Sequence, residues 1–113
     1  MLHGIYPDFE TSRLKVRVVS FEEETCRWGL FERDTSERIG AIQFYFDREA
    51  GAFSYEIDAS SRDRGLVEEA LEPLVQFMFN TMRLKEVGVI EDGLKLEAIG
   101  FEKEGNRQVI RRK

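Results

Sequence analysis

Hydrophobic and polar positions alternate strictly near the start of the chain and again in its middle. Leu14, Val16 and Val18 alternate with basic residues from Arg13 onwards, and this period of two predicts a half-buried strand. The same pattern predicts later strands over residues 38–46 and 53–57, and residues 27–34 are a further candidate strand. Because short turns join these three strands, we expect them to form an antiparallel meander.

The period changes to a helical one after a polar loop at residues 60–65. Apolar residues then recur at steps of three and four, which predicts a long central helix. These residues are Leu66, Val67, Ala70, Leu71, Leu74, Val75, Met78 and Met82. Pro73 lies inside the pattern and is compatible only with a position near the helix start or with a bend.

Shorter elements are predicted in the remainder of the chain. Residues 86–90 predict a strand, residues 92–99 a short helix that Gly100 ends, and residues 108–112 a last strand. We expect residues 1–12 to be a lead-in, and residues 21–26 to be an acidic connector with at most two helical turns. The order predicts one α+β domain over residues 1–113, with a mostly antiparallel sheet, a long central helix and a short C-terminal helix.

Composition and charge narrow the classes of function. The 42% hydrophobic content is sufficient for a core, and the net charge of −5 disfavours a nucleic-acid partner. The basic run at 107–113 therefore predicts a solvated terminal strand. Cys26 and His3 are the single cysteine and the single histidine, which excludes a disulfide within the chain and a zinc site. Because we find neither a membrane span nor a signal peptide, we expect a cytoplasmic protein with no membrane partner.

Four separated motifs occur in series between residues 11 and 105. They read TSRLKVR at 11–17, RIGAI at 38–42, RDRGLVEEAL at 62–71 and IGFEKEG at 99–105. Together they resemble the GNAT N-acetyltransferase superfamily, and within it the ribosomal-protein acetyltransferase branch, in a shortened and degenerate form. The resemblance implies that acetyl-CoA is the cofactor. It also implies that the cofactor binds at the start of the central helix, over Arg62, Arg64, Gly65, Leu66 and Val67.

The start of the central helix also departs from the family pattern. Val67 stands where the family usually has Gly or Ala, and the following Glu-Ala-Leu comes about two residues early by comparison with the usual family pattern. Glu68 and Glu69 place two negative charges beside the amides that favour an anion. Two interpretations follow: a shortened phosphate-binding loop, or a self-capped helix that needs no ligand.

Some of the catalytic residues that the family usually has are also missing from this sequence. Amine acetylation needs a base for the ammonium proton, and Glu56 and Asp58 are the carboxylates near the expected cleft, with Tyr55 as a candidate acid. Strand alternation directs Tyr55 and Glu56 to opposite faces unless a bulge intervenes. The Asn and Ser that family members often carry before the last helix are absent from residues 89–93. Asp92 there predicts a helix N-cap.

The resemblance implies an acyltransferase domain that transfers an acetyl group to an amine, on a small molecule or a protein N-terminus, with weak or lost activity. Family members usually carry helices between the first two strands, where this chain has only residues 21–26. Loss of that wall favours an alternative: a non-catalytic protein-binding or homodimerisation module. Its expected contact surface consists of exposed aromatic side chains, such as Trp28, Phe31, Phe44 and Phe46.

Overall fold

A twisted sheet with one long helix forms the described part of the chain. The computed structural model describes residues 6–90 and 94–112. The strands are β1 (Phe9–Glu10), β2 (Leu14–Glu22), β3 (Thr25–Glu32), β4 (Arg38–Asp47), β5 (Ala50–Ile57), β6 (Glu86–Ile90), β7 (Glu102–Glu104) and β8 (Arg107–Arg111). The helix α1 is Leu66–Asn80, and single 3-10 turns occur at Ala59–Ser61 and Glu97–Ile99.

The strands follow the spatial order β1-β2-β3-β4-β5-β6-β8-β7. Neighbours pair antiparallel except β5 and β6, which are parallel. Helix α1 connects these two strands, as a parallel pair requires a long crossover. The fold is therefore α+β with a mostly antiparallel sheet and a central helix, as the order of periodicities predicts.

One face of the sheet forms the core together with α1. Cys26, Phe44 and Phe53 lie opposite one another on β3, β4 and β5, so their side chains share this face. The helix buries seven of the eight predicted apolar residues, from Leu66 to Met78, and Phe79 in addition. The eighth, Met82, lies beyond the end of the helix at Asn80. Pro73 lies in the helix interior, where its missing N–H removes one helical hydrogen bond.

The expected acidic connector at residues 21–26 is instead a tight hairpin. Strand β2 continues to Glu22, β3 begins at Thr25, and these two residues pair across the turn. The prediction was wrong because the glutamates at 22–24 are poor strand formers and hid the continued pairing. The turn leaves no room for a helical wall between the first two long strands.

The short C-terminal helix predicted over 92–99 was also wrong. Residues 91–93, including Asp92, lie outside the described residues, and Leu94–Leu96 are irregular before a 3-10 turn at Glu97–Ile99. External hydrogen bonds hold this segment: the Lys95 amide donates to Glu68, and Leu94 O accepts from Gln108. Gly100 does end the turn, with a φ of 115° that favours glycine.

Two short strands near the chain ends were not predicted. The lead-in contains β1, whose Phe9 and Glu10 pair with Val16 and Lys15. A further short strand, β7, pairs with β8 at the opposite edge of the sheet. Both strands are too short to show a period of two, which is why the sequence pattern did not predict them.

The aromatic residues that were expected to be exposed lie largely in the core. Trp28 and Phe44 are 0% exposed, and Phe31 and Phe46 are half-buried. Tyr6 covers this region: its ring packs edge-on against Trp28 at 5.7 Å and stacks on Phe46 at 6.1 Å. Of the expected contact residues, Trp28 and Phe44 are thus buried within the chain, whereas Phe31 and Phe46 stay partly exposed.

Candidate functional site

The parallel strands β5 and β6 are paired at the start of β5 and separate towards its end. Strand β5 pairs with β6 only at Ala50↔Glu86, Gly51↔Val87 and Ala52↔Gly88. Beyond Ala52 the described part of β6 offers no further partner, although β5 continues to Ile57. The backbone of residues 53–57 is therefore paired with β4 on one side and faces an opening on the other.

A main cavity of about 810 Å³ lies at this opening. It is bordered by the end of β5, by the loop before α1, by the first turn of α1 and by the segment after β6. The lining residues are Tyr55, Glu56, Ile57, Ser61, Arg62, Asp63, Gly65, Leu66, Val67, Glu68, Leu94 and Lys95. Its size falls within the range of small-molecule and cofactor sites.

The N-terminus of α1 presents backbone amides at this cavity. Gly65 immediately precedes the helix in the left-handed conformation, with φ 73° and ψ 19°, and has no side chain with which to cap it. The first amide that bonds to Gly65 O within the helix is that of Glu69, at 3.0 Å. The amides of residues 66–68 therefore have no carbonyl partner within the helix, an arrangement that favours an anion.

The residues predicted to hold the cofactor divide into two groups. Arg62, Gly65, Leu66 and Val67 line the main cavity. Arg64 does not, and its guanidinium lies 4.0 Å from a carboxylate oxygen of Glu32. The left-handed conformations of Asp63 and Gly65 change the chain direction on each side of Arg64, which explains why the two neighbouring arginines lie in different places.

The two glutamates of the first helical turn also separate. Glu68 lines the cavity and accepts a hydrogen bond from the Lys95 amide at 3.2 Å. Glu69 is bound to the segment before β2, where it accepts hydrogen bonds from Thr11 Oγ1, from Arg13 N at 3.0 Å and from Arg13 Nε at 2.7 Å. Of these two glutamates, Glu68 alone therefore places its carboxylate on the cavity wall.

Hydrogen bonding controls the charge of Glu69. Burial by itself raises the pKa of this carboxyl, but the hydrogen bonds from Thr11 and Arg13 outweigh that effect and lower the pKa below its ordinary value. The ionised form is thus favoured, and it joins the start of α1 to the start of β2.

Two of the three predicted catalytic residues line the main cavity. Tyr55 lies opposite Ile42 on β4, on the core face, whereas Glu56 lies opposite Ala41 on the other face. Both still border the cavity, because β5 has a free edge there. Glu56 accepts a hydrogen bond from Arg27 Nη2 at 2.7 Å, which orients its carboxylate.

The third predicted catalytic residue, Asp58, lines a separate side cavity. This side cavity has a volume of about 350 Å³ and is lined by Arg38, Gly40, Glu56, Ile57 and Asp58. Glu56 and Ile57 border both cavities, so the two spaces meet at the end of β5.

Sequence reasoning missed the far wall of the main cavity. Leu94 and Lys95 line it, and the fully buried Gln108 donates from Nε2 to Leu94 O at 3.1 Å. Gln108 lies on β8, so this contact joins positions far apart in the chain. Its only sequence signal is a glutamine inside a short apolar strand.

The single thiol is not part of this site. Cys26 is 0% exposed on β3, and burial raises the pKa of its thiol to about 12. A thiol that stays protonated at neutral pH is a poor nucleophile. Cys26 is therefore a core residue.

The basic residues near the C-terminus are largely neutralised by neighbouring carboxylates. Arg107 lies 3.8 Å from Glu86, and Arg111 contacts both Glu86 and Glu104. The hydrogen bond from Arg111 lowers the pKa of Glu104. The strand predicted for this run is thus present, as β8.

No helix within the described residues is both long and apolar enough to span a membrane.

Comparison with known proteins shows the family of this chain. The model of the acetyltransferase (GNAT) domain matches residues 7–92. The chain belongs to this family. Within it, the uncharacterised N-acetyltransferase YoaA of Bacillus subtilis is 29% identical over 93 residues, which cover 74% of this chain. The match spans 52% of YoaA, about half its length.

Solved structures support the same GNAT fold. A protein described as a ribosomal-protein-serine acetyltransferase from Vibrio cholerae superimposes with a TM-score of 0.75 at 16% identity, covering 96% of this chain and 99% of the other. The ribosomal-protein-S5-alanine acetyltransferase of Vibrio fischeri gives 0.77 at 14% identity, with 93% and 96% covered. At these identities the likeness establishes the shared fold and leaves the substrate open.

Proposed function

We propose that this GNAT domain binds acetyl-CoA in the main cavity and transfers the acetyl group to an amine. The observation that carries this proposal is the main cavity itself. It lies where the parallel strands separate, and the unpaired first turn of α1 borders it. Open parallel strands with a following helix are a common place for ligands, because free amides converge there.

The residues at the start of α1 fit a pyrophosphate. The amides that follow Gly65 offer donors and the positive end of the helix dipole, and Arg62 adds a positive charge on the same cavity. Among the described residues, Arg62 has no ion-pair partner, so its guanidinium remains available. Val67 is 3% exposed, which means that most of its bulk lies in the core.

The free edge of β5 fits the extended arm of the same ligand. Residues 53–57 leave backbone donors and acceptors facing the cavity, since β6 has moved away. An unpaired strand edge forms hydrogen bonds readily with an extended chain. The arm would then direct the reactive thioester towards Tyr55 and Glu56.

Glu56 and Tyr55 are proposed as the base and the acid of the transfer. The free amine attacks the thioester carbonyl carbon, an N–C bond forms, the C–S bond breaks and the sulfur leaves with a proton. Glu56 accepts the ammonium proton of the acceptor, while Arg27 holds its carboxylate at 2.7 Å. Tyr55 would donate a proton to the leaving sulfur, from the core-facing side of β5, and would regain one from the nitrogen as that nitrogen becomes an amide.

We further propose that the transfer is slow. The β2–β3 hairpin turns directly from Glu22 to Thr25, so no helices lie between these two strands to hold the acceptor. Glu68 places a negative charge on the cavity that the pyrophosphate would enter. In this proposal residues 1–113 form one domain that acts in the cytoplasm.

Calorimetric titration with acetyl-CoA and with CoA tests the proposed function. We expect binding at micromolar strength, about 8 kcal/mol of binding free energy. Release of CoA in the presence of a panel of amines then tests the transfer. Absence of binding at millimolar acetyl-CoA would contradict the proposal and leave a non-catalytic binding role.

A further inference from the structure

The side cavity contains charges that the protein does not neutralise itself. Arg38 and Asp58 both line it, and within the described part of the chain neither has an ion-pair partner. Most arginines nearby differ in this respect: Arg27 is paired with Glu56 and Arg64 with Glu32. An arginine and a carboxylate at one cavity, both unpaired, are available to a ligand.

The side cavity lies beside Glu56, the proposed base of the transfer. It shares Glu56 and Ile57 with the main cavity, so a molecule in it has one end next to the proposed base. At Gly40, any side chain would collide with the carbonyl oxygen of Glu56. This glycine therefore permits the close approach of β4 and β5 on which the shape of the cavity depends.

The size and charges of the side cavity select a class of ligand. A volume of about 350 Å³ is at the lower end for small-molecule sites and suits a compact ligand. A guanidinium binds a carboxylate through two parallel hydrogen bonds, which gives it geometric specificity. Carboxylates such as Asp58 and Glu56 instead favour an ammonium group.

We propose that the side cavity binds the acceptor as an amino acid, with the acceptor's carboxylate at Arg38 and its amine at Glu56. This inference rests on the proposed acetyl transfer and specifies its substrate class. A polyamine lacks the anionic group and would bring a second positive charge towards Arg38. An acceptor that carries an amide in place of the carboxylate would also lack the bidentate contact with Arg38.

Ligand-observed NMR tests the inference directly, without requiring turnover. The probes are L-alanine, L-methionine and L-phenylalanine, the amides of the same three amino acids, and spermidine, each with and without CoA. We expect at least one free amino acid to bind about tenfold more tightly than its amide and than spermidine. Binding of the amides or of spermidine as tightly as the free amino acids, or no binding of any free amino acid, would overturn the inference.

Matched variants assign the selectivity to Arg38. Arg38→Gln should remove the preference for the free carboxylate, and Arg38→Lys should retain part of it. Arg48→Gln removes the same charge from the β4–β5 turn, outside both cavities, and should leave the preference unchanged. An unchanged preference in Arg38→Gln would contradict the proposed role.

Titration of the same samples with acetyl-CoA separates the two proposals. If wild-type protein binds acetyl-CoA but shows no preference for free amino acids, the inference about the side cavity fails alone. If acetyl-CoA does not bind, the proposed function fails, and the NMR comparison of acids with amides still decides whether the side cavity recognises a carboxylate.

Discussion

The indole Nε1 of Trp28 donates a hydrogen bond to the carbonyl oxygen of Pro7 at 2.9 Å. This contact fixes the segment before β1 over the middle of the sheet. A second hydrogen bond holds the same segment: the carboxylate of Asp8 accepts from the amide of Val18 at 2.8 Å. Tyr6 is thereby placed on the aromatic core, where it packs against Phe21, Trp28, Phe46 and Phe77. The segment covers apolar surface that the tight β2–β3 hairpin leaves without a helical wall.

The first prediction concerns Tyr6. Tyr6 is 7% exposed, and truncation of a buried aromatic leaves a cavity, so Tyr6→Ala should reduce the free energy of unfolding by about 3 kcal/mol. The hydroxyl of Tyr6 is buried without a hydrogen-bond partner among the described residues. Tyr6→Phe should therefore be at least as stable as the wild type. Urea unfolding measures both changes.

Tyr45 is a suitable control for this prediction, because it is 47% exposed on β4. Tyr45→Ala should change the free energy of unfolding by about 0.5 kcal/mol or less. A loss in Tyr6→Ala no larger than in Tyr45→Ala would show that the segment before β1 does not contribute to the core.

The second prediction concerns the pH dependence of the Glu69 contacts. The folded-state pKa of Glu69 lies below its ordinary value of 4.5, so its contribution to stability is fully present above pH 4.5. It is lost as the pH falls through the lowered folded pKa. Glu69→Gln should reduce the free energy of unfolding by about 1.5–3 kcal/mol at pH 7, since hydrogen bonds to a charged group are lost.

Urea unfolding of Glu69→Gln across pH 3 to 7 checks this behaviour. The difference from wild type should shrink below pH 4.5. Glu72→Gln is a matched control, because Glu72 is exposed on the same helix and has no ion pair within the described residues. A difference for Glu69→Gln that stays constant down to pH 3 would contradict the assignment.

The third prediction separates two neighbouring arginines. Arg62 lines the main cavity, whereas Arg64 lies beside Glu32. A hydrogen bond to a charged group contributes about 1.5–3 kcal/mol, so Arg62→Gln should weaken CoA binding by roughly tenfold or more. Arg64→Gln should leave the affinity within about twofold, because its charge lies outside the cavity. Calorimetry on both variants measures the difference, and equal losses would contradict the placement of the pyrophosphate at Arg62.

The sequence alone predicted the elements whose pattern is local and long. In strands β2 to β6 and in helix α1, apolar residues recur several times at the spacing of the element. Their positions therefore indicate the buried face directly. The β2–β3 hairpin was hidden by its three glutamates. The segment at Leu94 is held by Glu68 and Gln108, contacts between distant positions that no local pattern contains.

The candidate site was predicted in part for the same reason. Gly65 and Arg62 follow from the helix start, which is a local feature. The separation of Asp58 from the main cavity depends on how the chain turns after β5, and that of Arg64 on two left-handed residues, Asp63 and Gly65. Backbone turns of this kind are weakly encoded for a residue other than glycine.

The last prediction tests whether the charge of Glu68 limits cofactor binding. Glu68→Gln removes a negative charge from the cavity wall while its side-chain oxygen can still accept from the Lys95 amide. An electrostatic effect at a helix N-terminus is about 0.3–1 kcal/mol, so affinity for CoA should rise by roughly two- to fivefold at low salt. The gain should shrink at about 1 M salt, where charges are screened over about 3 Å. Glu72→Gln, farther along α1, should show no gain. Unchanged or weaker binding in Glu68→Gln at low salt would contradict an electrostatic limit on cofactor binding by Glu68.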